Sequence, residues 1–172
     1  MKSEHGFTLI ELMVTLSIAA ILLTVGIPSM SDFIANNKIT SQSNILVSFL
    51  QNARMEAVKT NRTTQVCVEN NASTNSCDGS DWSTGLKLWS DKDNDNSVDA
   101  NEVIRFYNES PGDITIIAAG FANSDYIEYQ ATGISDSTGT FDVCDAGRSG
   151  EAGARITINS TGRVSSQSIV CP

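Results

Sequence analysis

An acidic segment from residue 91 to residue 102, DKDNDNSVDANE, carries oxygen-bearing side chains at regular spacing. They fall at positions 1, 3, 5, 7, 9 and 12, the ligand spacing of an EF-hand calcium loop. Position six holds Asn96 instead of glycine, although asparagine tolerates the left-handed conformation better than most residues. The spacing predicts a calcium site, whose candidate ligands are Asp91, Asp93, Asp95, Ser97, Asp99 and Glu102. The flanks GLKLWS and EVIRFY are strand-like, and they favour a solvated acidic hairpin turn instead.

A single carboxylate, Glu11, interrupts an apolar segment near the start of the chain. The segment from Phe7 to Ile27, FTLIELMVTLSIAAILLTVGI, has no other charged residue. As an α-helix it spans about 30 Å, the thickness of a bilayer core, and it is apolar on all sides. A charged group is costly in such a setting unless it has a partner, so Glu11 is a candidate functional residue.

The apolar segment is predicted to be retained as a transmembrane helix half over residues 7–30. A cleaved secretory signal is the alternative, but it has a shorter apolar core and small residues at its cleavage site. Lys2 and His5 precede the segment and Asp32 follows it. This charge pattern predicts that the N-terminus stays in the cytoplasm and that the body of the chain lies on the opposite side of the membrane.

The four cysteines, Cys67, Cys77, Cys144 and Cys171, all lie in the predicted exported body. An even number in an exported domain indicates disulfides, and four cysteines allow three pairings. We favour the local pairing, Cys67 with Cys77 and Cys144 with Cys171. A zinc site is the competing interpretation. It is disfavoured because the sequence has no C-x-x-C pair and its one histidine is His5.

After Pro28 the apolar pattern becomes that of an amphipathic helix. Ile39, Leu46, Leu50, Ala53 and Ala57 recur at helical spacing, and Ile45, Phe49 and Val58 widen this face. Pro28 is expected to kink the helix and not to end it. We therefore predict an amphipathic helix half over residues 31–62 that continues the membrane half.

From residue 63 to residue 172 the pattern is that of short strands separated by Gly, Asn, Asp and Ser clusters. The eight predicted strands are TTQVCV, GLKLWS, EVIRFY, DITIIAA, YIEYQA, TFDVC, ARITIN and RVSSQSIV. The predicted fold class is α+β, with the long helix packed on a β-rich head. The head is expected to contain two packed antiparallel sheets or one curved sheet.

The residues GFTLIEL at positions 6–12 resemble the N-terminal motif of type IV pilins and type II secretion pseudopilins. The segments NARMEAVKTNRTTQVCV, SDWSTGLKLWSDKDND and ARITINSTGRVSSQ, with the final Cys171, are similar to the GspH/FimT branch of minor pilins. The resemblance implies a leader over residues 1–6 and cleavage between Gly6 and Phe7 by a prepilin peptidase. It also implies N-methylation of Phe7.

The resemblance further implies a single-pass inner-membrane subunit with a periplasmic head that joins a pilus or pseudopilus. Its partners are then other major and minor pilins, which contact the N-terminal helix. Cleavage creates an amine at Phe7, and in a staggered filament the amine of one chain can meet Glu11 of its neighbour. Such a pair makes both charges less costly in lipid. The alternative is that Glu11 lies near the helix start and that its side chain reaches the membrane–water interface.

The implied function is that of a minor type IV pilin which primes or joins pilus assembly. One alternative is the minor pseudopilin H of a type II secretion system, and another is a FimT-type DNA-binding pilin. For DNA the candidate residues are Arg148, Arg155 and Arg163, but Ser165 stands where that pattern has a second arginine. The formal net charge of −9 also disfavours general binding of polyanions. Solvated arginines at strand ends are therefore favoured over a DNA site.

No enzymatic activity is predicted. The implied cleavage removes the one histidine, and the sequence has no G-x-S-x-G elbow, P-loop or G-x-G-x-x-G motif. Its carboxylates concentrate in one turn, whereas acid–base catalysis needs groups brought together from separate segments.

Overall fold

The computed structural model describes residues 6–68, 77, 79–93, 95, 97–108, 112–123 and 125–172. Within these residues the chain forms one helix, α1 (Leu9–Thr60), followed by strands only. The strands are β1 (Thr64–Val68), β2 (Leu86–Ser90), β3 (Val103–Tyr107), β4 (Ile114–Ala119), β5 (Tyr126–Tyr129), β6 (Gly139–Asp145), β7 (Ala152–Ile158) and β8 (Val164–Val170). Each of the eight predicted strand segments overlaps one of them, so the predicted α+β class is confirmed.

The chain divides into two compact units, Met1–Asn37 and Lys38–Pro172. The described part of the first unit is helical from Leu9 onward, and α1 continues through Pro28 without a break in its assignment. The sequence predicts that residues 7–30 cross a membrane. Among the described residues, however, no helix has both the length and the apolar character needed to span one.

The second unit contains two four-stranded antiparallel sheets. Sheet 1 has the strand order β3-β2-β1-β5, and sheet 2 has the order β4-β6-β7-β8. The first three strands of the chain thus pair in sequence within sheet 1, and β6, β7 and β8 do so in sheet 2. The sequence was compatible with one curved sheet or with two packed sheets, and the described residues form two sheets.

The core of the second unit lies between α1 and the inner residues of both sheets. The helical face predicted from spacing is buried there, together with Phe49. Sheet 1 contributes Val66, Leu88 and Ile127, and sheet 2 contributes Phe141, Ile156 and Ile158. Burial of apolar area at about 25 cal/mol per Å² is the main stabilising contribution of this arrangement.

Val58 departs from the predicted helical face because it is exposed. It lies in the last turns of α1, beside Gly133, where an added Cβ would approach Val58 Cγ2 to 2.9 Å. Val58 therefore packs at the rim of the core and does not enter it. The helix ends at Thr60, two residues before the predicted boundary.

The end of α1 is set by Asn61, which has a left-handed φ of 55°. The backbone N–H of Arg62 then donates to the Ala57 carbonyl at 3.2 Å. This is the usual way in which a left-handed residue satisfies the last carbonyls of a helix, and asparagine is among the residues that accept this conformation most readily.

Candidate functional site

The predicted assembly residue Glu11 is part of a reciprocal cap at the start of α1. Its Oε2 accepts hydrogen bonds from the Thr8 backbone N–H at 2.9 Å and from Thr8 Oγ1 at 2.8 Å. The Glu11 backbone N–H donates in return to Thr8 Oγ1 at 3.3 Å. This is a capping box, which satisfies donors that the first turn of a helix otherwise leaves unpaired. The T-x-x-E pattern that indicates it is readable in the sequence, but the sequence reasoning did not use it.

The predicted processing residues lie immediately before this cap. Gly6 and Phe7 precede the helix, and the Phe7 side chain is 81% exposed. Apart from Gly6 itself and its chain neighbours, no described atom lies within 4 Å of the position that a Cβ would take at Gly6. The peptide between Gly6 and Phe7 is therefore sterically open in the described chain.

The helix surface around Glu11 is apolar and exposed. Every large apolar side chain from Phe7 to Leu23 is exposed, including Leu9, Ile10, Leu12 and Met13. An exposed apolar surface of this extent is characteristic of a segment that contacts lipid or other protein chains. Between Phe7 and Leu23, Glu11 is thus the one acidic residue on an exposed apolar surface.

The structure joins Cys67 to Cys77 and Cys144 to Cys171, which is the local pairing favoured from the sequence. Cys67 lies in β1, Cys144 lies in β6, and Cys171 directly follows β8. Gly153 of β7 is adjacent to the second disulfide. A Cβ at this position would overlap Cys171 Sγ and approach the Val143 carbonyl oxygen. The disulfide therefore requires glycine at residue 153, a requirement that the sequence reasoning missed.

The acidic loop between β2 and β3 brings together three of its six predicted calcium ligands. Donor atoms of Asp91, Asp93 and Asp95 lie within 4.8 Å of one another. Two Asx-type bonds shape this part of the loop, from the Asp95 N–H to Asp93 Oδ1 and from the Ser97 N–H to Asp95 Oδ1. The carboxylates of Asp99 and Glu102 do not belong to this group.

Glu102, which was predicted to be the final ligand, is instead buried against the loop backbone. Its Oε1 accepts from the Lys92 N–H, and its Oε2 accepts from the Asp99 N–H at 3.3 Å. Val98 is also buried, in a small cluster with Cys67 and Trp89. The loop is therefore stabilised by the hydrogen bonds that Glu102 accepts from its backbone and by the packing of Val98.

Electrostatics within the loop disfavour ionisation of Asp93. Desolvation raises the pKa of Asp93, and the neighbouring carboxylates of Asp95, Glu102 and Asp91 raise it further. A hydrogen bond from the Asp95 backbone acts in the opposite direction. A bound cation is the kind of ligand that relieves such repulsion.

Two of the three predicted DNA-contacting arginines are paired with carboxylates. Arg155 forms a bidentate pair with Asp142 across β6 and β7, at 2.6 and 2.7 Å. Arg148 Nε contacts Asp145 Oδ2 at 3.1 Å. Arg163 is exposed and lines a cavity of about 260 Å³. The other lining residues are Gln51, Arg54, Met55, Gly162 and Val164.

Two family models match the chain. The model described as "Type II transport protein GspH" covers residues 42–162, and the "Prokaryotic N-terminal methylation motif" covers residues 1–27. No match to the chain is found among curated proteins.

Two crystal structures of the type IV minor pilin FimU from Pseudomonas aeruginosa have a similar fold. The one in space group P21 has a TM-score of 0.60 and 21% sequence identity, covering 78% of this chain and 92% of that chain. The one in space group P65 has a TM-score of 0.55 at 21% identity, covering 74% and 91% respectively. Because the GspH model alone matches more than half of the residues, the chain belongs to the type IV pilin-like GspH/FimT family.

Proposed function

We propose that this protein is a minor type IV pilin that primes or joins pilus assembly through the first half of α1. The observation that carries the proposal is the exposed apolar surface from Phe7 to Leu23, which has one carboxylate at its start. A globular head needs no such extension for its own core, because the first buried residue among those that the structure describes is Ile39. The surface is suited to packing among the helices of other major and minor pilins.

Before assembly, the chain is stored in the inner membrane as a single-pass subunit with a periplasmic head. Support comes from the methylation motif over residues 1–27 and from the two disulfides, which belong to oxidising compartments. A prepilin peptidase cleaves between Gly6 and Phe7, and Phe7 is then methylated. The open Gly6–Phe7 peptide is consistent with access for the peptidase.

In the filament, Glu11 pairs with the Phe7 amine of a neighbouring chain. A carboxylate that is paired in an apolar environment costs less free energy than an unpaired one. A subunit in the wrong register leaves its carboxylate unpaired, and this penalty selects the correct register.

The proposal is tested by intact mass on protein purified from its host membrane and from sheared pili. The expected mass lacks residues 1–6, carries one added methyl group and lacks four hydrogens for two disulfides. The processed form is expected in the sheared fraction of a piliated strain. An uncut chain in both fractions overturns the proposal, because Phe7 then has no free amine.

A second candidate function is that of the minor pseudopilin H of a type II secretion system. The observation that favours it is the description of the matching family model as a type II transport protein. Deletion of the gene separates the two functions. Loss of surface pili with normal release of secreted enzymes supports the pilus role, and the reverse pattern supports the secretion role.

A further inference from the structure

The cavity of about 260 Å³ beside the last turns of α1 is lined by two arginines, and we call it the arginine cavity. Arg163 comes from the turn between β7 and β8, and its guanidinium has no hydrogen bond or ion pair with any residue that the structure describes. Arg54 comes from α1, and its Nε donates to the Gly133 carbonyl at 3.0 Å. A guanidinium has five N–H donors, so most of those of Arg54 remain for a ligand. No acidic side chain is among the described lining residues.

The backbone beneath the two arginines is tightly packed. Gly162 has a φ of 75°, and a Cβ at this residue would overlap the Gly133 carbonyl oxygen. The same carbonyl accepts the hydrogen bond from Arg54. The Gly133 carbonyl therefore connects Arg54 to the residue before Arg163, and the fold sets the spacing of the two arginines before any ligand binds.

The lining of the arginine cavity favours a side-chain carboxylate over the phosphates of a nucleic acid. Guanidinium groups pair with both kinds of anion. Met55 and Val164 add apolar surface, which suits the methylene group next to a side-chain carboxylate. A nucleic acid presents a regular series of phosphates and is bound by an extended basic surface. The nearby candidates for such a surface, Arg148 and Arg155, already pair with carboxylates of this chain.

The acidic loop between β2 and β3 carries the complementary charge. Asp93 and Asp95 are both exposed, and their carboxylates lie within 4.8 Å of each other. The loop is also near the C-terminal end of α1, because the side chain of Arg62, two residues after the helix, donates to the Lys92 carbonyl. The acidic loop and the arginine cavity are therefore at the same end of the head.

The two surfaces lie on opposite sides of β1. Thr64 of β1 pairs with Ser90 of β2 on one side and with Tyr129 of β5 on the other. The acidic loop directly follows Ser90. The Tyr129 ring packs beside Gly162 of the arginine cavity, where an added Cβ would be 3.2 Å from Tyr129 Cε1. The head therefore presents negative charge on one side and positive charge on the other.

We propose that the acidic loop of one copy of this chain binds the arginine cavity of the next copy, with Asp93 and Asp95 as the bound carboxylates. The inference rests on the proposed function, in which neighbouring copies have parallel α1 helices. A contact between two different surfaces can repeat along a helical filament without reversing any copy. A second copy is the favoured occupant because this chain carries both complementary surfaces at the same end of its head. Its net charge of −9 opposes self-association elsewhere on the surface.

The first test mixes two variants, each of which lacks one of the two surfaces. Asp93→Asn/Asp95→Asn retains the arginine cavity, and Arg163→Gln retains the acidic loop. Both full chains are purified in detergent, one is labelled with a fluorophore, and sedimentation velocity measures complex formation. We expect the mixture to bind about tenfold more tightly than either variant binds itself, and added salt should weaken this binding. The apolar half of α1 is the same in both variants, so association through it contributes equally to every sample.

The proposal is overturned if the mixture associates no better than each variant alone. Lys59→Gln is the matched control for Arg163→Gln, because it removes one exposed positive charge outside the arginine cavity. Mixed with Asp93→Asn/Asp95→Asn, it should bind as Arg163→Gln does, and alone it should associate as the unmodified chain does. Equal loss of self-association in Lys59→Gln and Arg163→Gln would attribute the effect to net charge and also overturn the proposal.

The second test uses a short thiol-specific cross-linker and leaves all the charges in place. Gln51→Cys introduces a thiol into the arginine cavity, and Ser97→Cys introduces one into the acidic loop. The double variant Gln51→Cys/Ser97→Cys is expected to give a ladder of oligomers, and a mixture of the two single variants should give dimers. Each single variant alone should remain monomeric, because each contact joins two different surfaces.

Dimers from either single variant alone, or no product from the double variant, contradict the proposal. Adducts to a different protein in cells without self-adducts assign the cavity to another partner and also overturn it. A tenfold loss of affinity for duplex DNA in Arg163→Gln, without binding in the mixture, assigns it to phosphate. Intact mass reports leader cleavage separately, so failure of this contact is distinguishable from failure of the proposed function.

Discussion

The Glu11 carboxylate is held by Thr8, whose backbone N–H and hydroxyl both donate to Oε2, at 2.9 and 2.8 Å. Glu11 therefore has a local role in starting α1 in addition to the proposed charge pair with a neighbouring chain. Replacement by alanine removes both roles together. A test of the assembly mechanism needs variants that remove one role at a time.

Glu11→Gln is expected to retain the start of the helix and to lose incorporation into pili. Glutamine serves in a capping box as glutamate does, so the bond from the Thr8 N–H is kept. The negative charge that pairs with the Phe7 amine is lost. The measurement is the amount of protein in sheared pili relative to the membrane fraction, by immunoblot.

Thr8→Ala is the complementary control. It removes the hydroxyl of the cap, at a cost of about 1 kcal/mol to the helix start, and it retains the charge of Glu11. We expect membrane levels and pilus incorporation close to those of the unmodified chain. Normal incorporation of Glu11→Gln combined with failure of Thr8→Ala would assign Glu11 a capping role and exclude the charge-pair mechanism.

The elements of the head are predictable from sequence because local pattern controls them. The helical spacing from Ile39 to Ala57 identifies the buried face of α1, and each strand has β-branched or aromatic residues between turn residues. The split into two sheets depends on which strands meet across long intervals, such as β1 with β5. Local pattern contains no information about that choice.

The candidate site was less predictable for a similar reason. Ligand spacing assigned Glu102 to a cation, but in the folded loop its carboxylate accepts backbone N–H groups of Lys92 and Asp99. Arg155 was a candidate for DNA, but the hairpin of β6 and β7 places it opposite Asp142. In both cases the charged side chain binds a partner within the fold. The type of the side chain alone does not indicate that partner.

Tyr129→Phe is expected to leave the head equally stable or to stabilise it by about 1 kcal/mol. Tyr129 is completely buried, and among the described residues its hydroxyl has no hydrogen-bond partner. Removal of an unpaired buried polar group avoids a desolvation penalty. Urea unfolding at neutral pH measures the change, and destabilisation by more than 1 kcal/mol would indicate a partner for the hydroxyl.

The same residue predicts a pH dependence in the alkaline range. Burial raises the pKa of Tyr129 well above its ordinary value, with a smaller opposing effect from Arg54. The unfolded chain therefore loses this proton at a lower pH than the folded chain does. The contribution to stability is present below about pH 10 and is lost as the pH rises above it. Tyr129→Phe should show a shallower decline in stability than the unmodified chain above pH 10.

Substitution of the predicted DNA-contacting arginines is expected to affect stability more than DNA binding. Arg155→Ala breaks the bidentate pair with Asp142, whereas Arg163→Ala removes an exposed side chain. We expect both variants to leave gel-shift affinity and DNA uptake unchanged, and only Arg155→Ala to lower the thermal midpoint. A tenfold loss of affinity in Arg163→Ala at constant salt would instead support a DNA-binding role.

The acidic loop is expected to bind calcium weakly, with a dissociation constant of about 1 mM. Asp91, Asp93 and Asp95 gather within reach of one ion, but Glu102 is engaged by the loop backbone and adds no free carboxylate.

Calorimetric titration of the full chain measures the affinity. Asp93→Asn/Asp95→Asn should abolish the heat, and Asp136→Asn, which changes an exposed acid outside this loop, should retain it. Absence of heat at millimolar calcium in the unmodified chain would reduce the loop to a solvated acidic turn. A micromolar constant would mean that Glu102 leaves the backbone and joins the ion, because three carboxylates alone do not provide the ligand set of a tight calcium site.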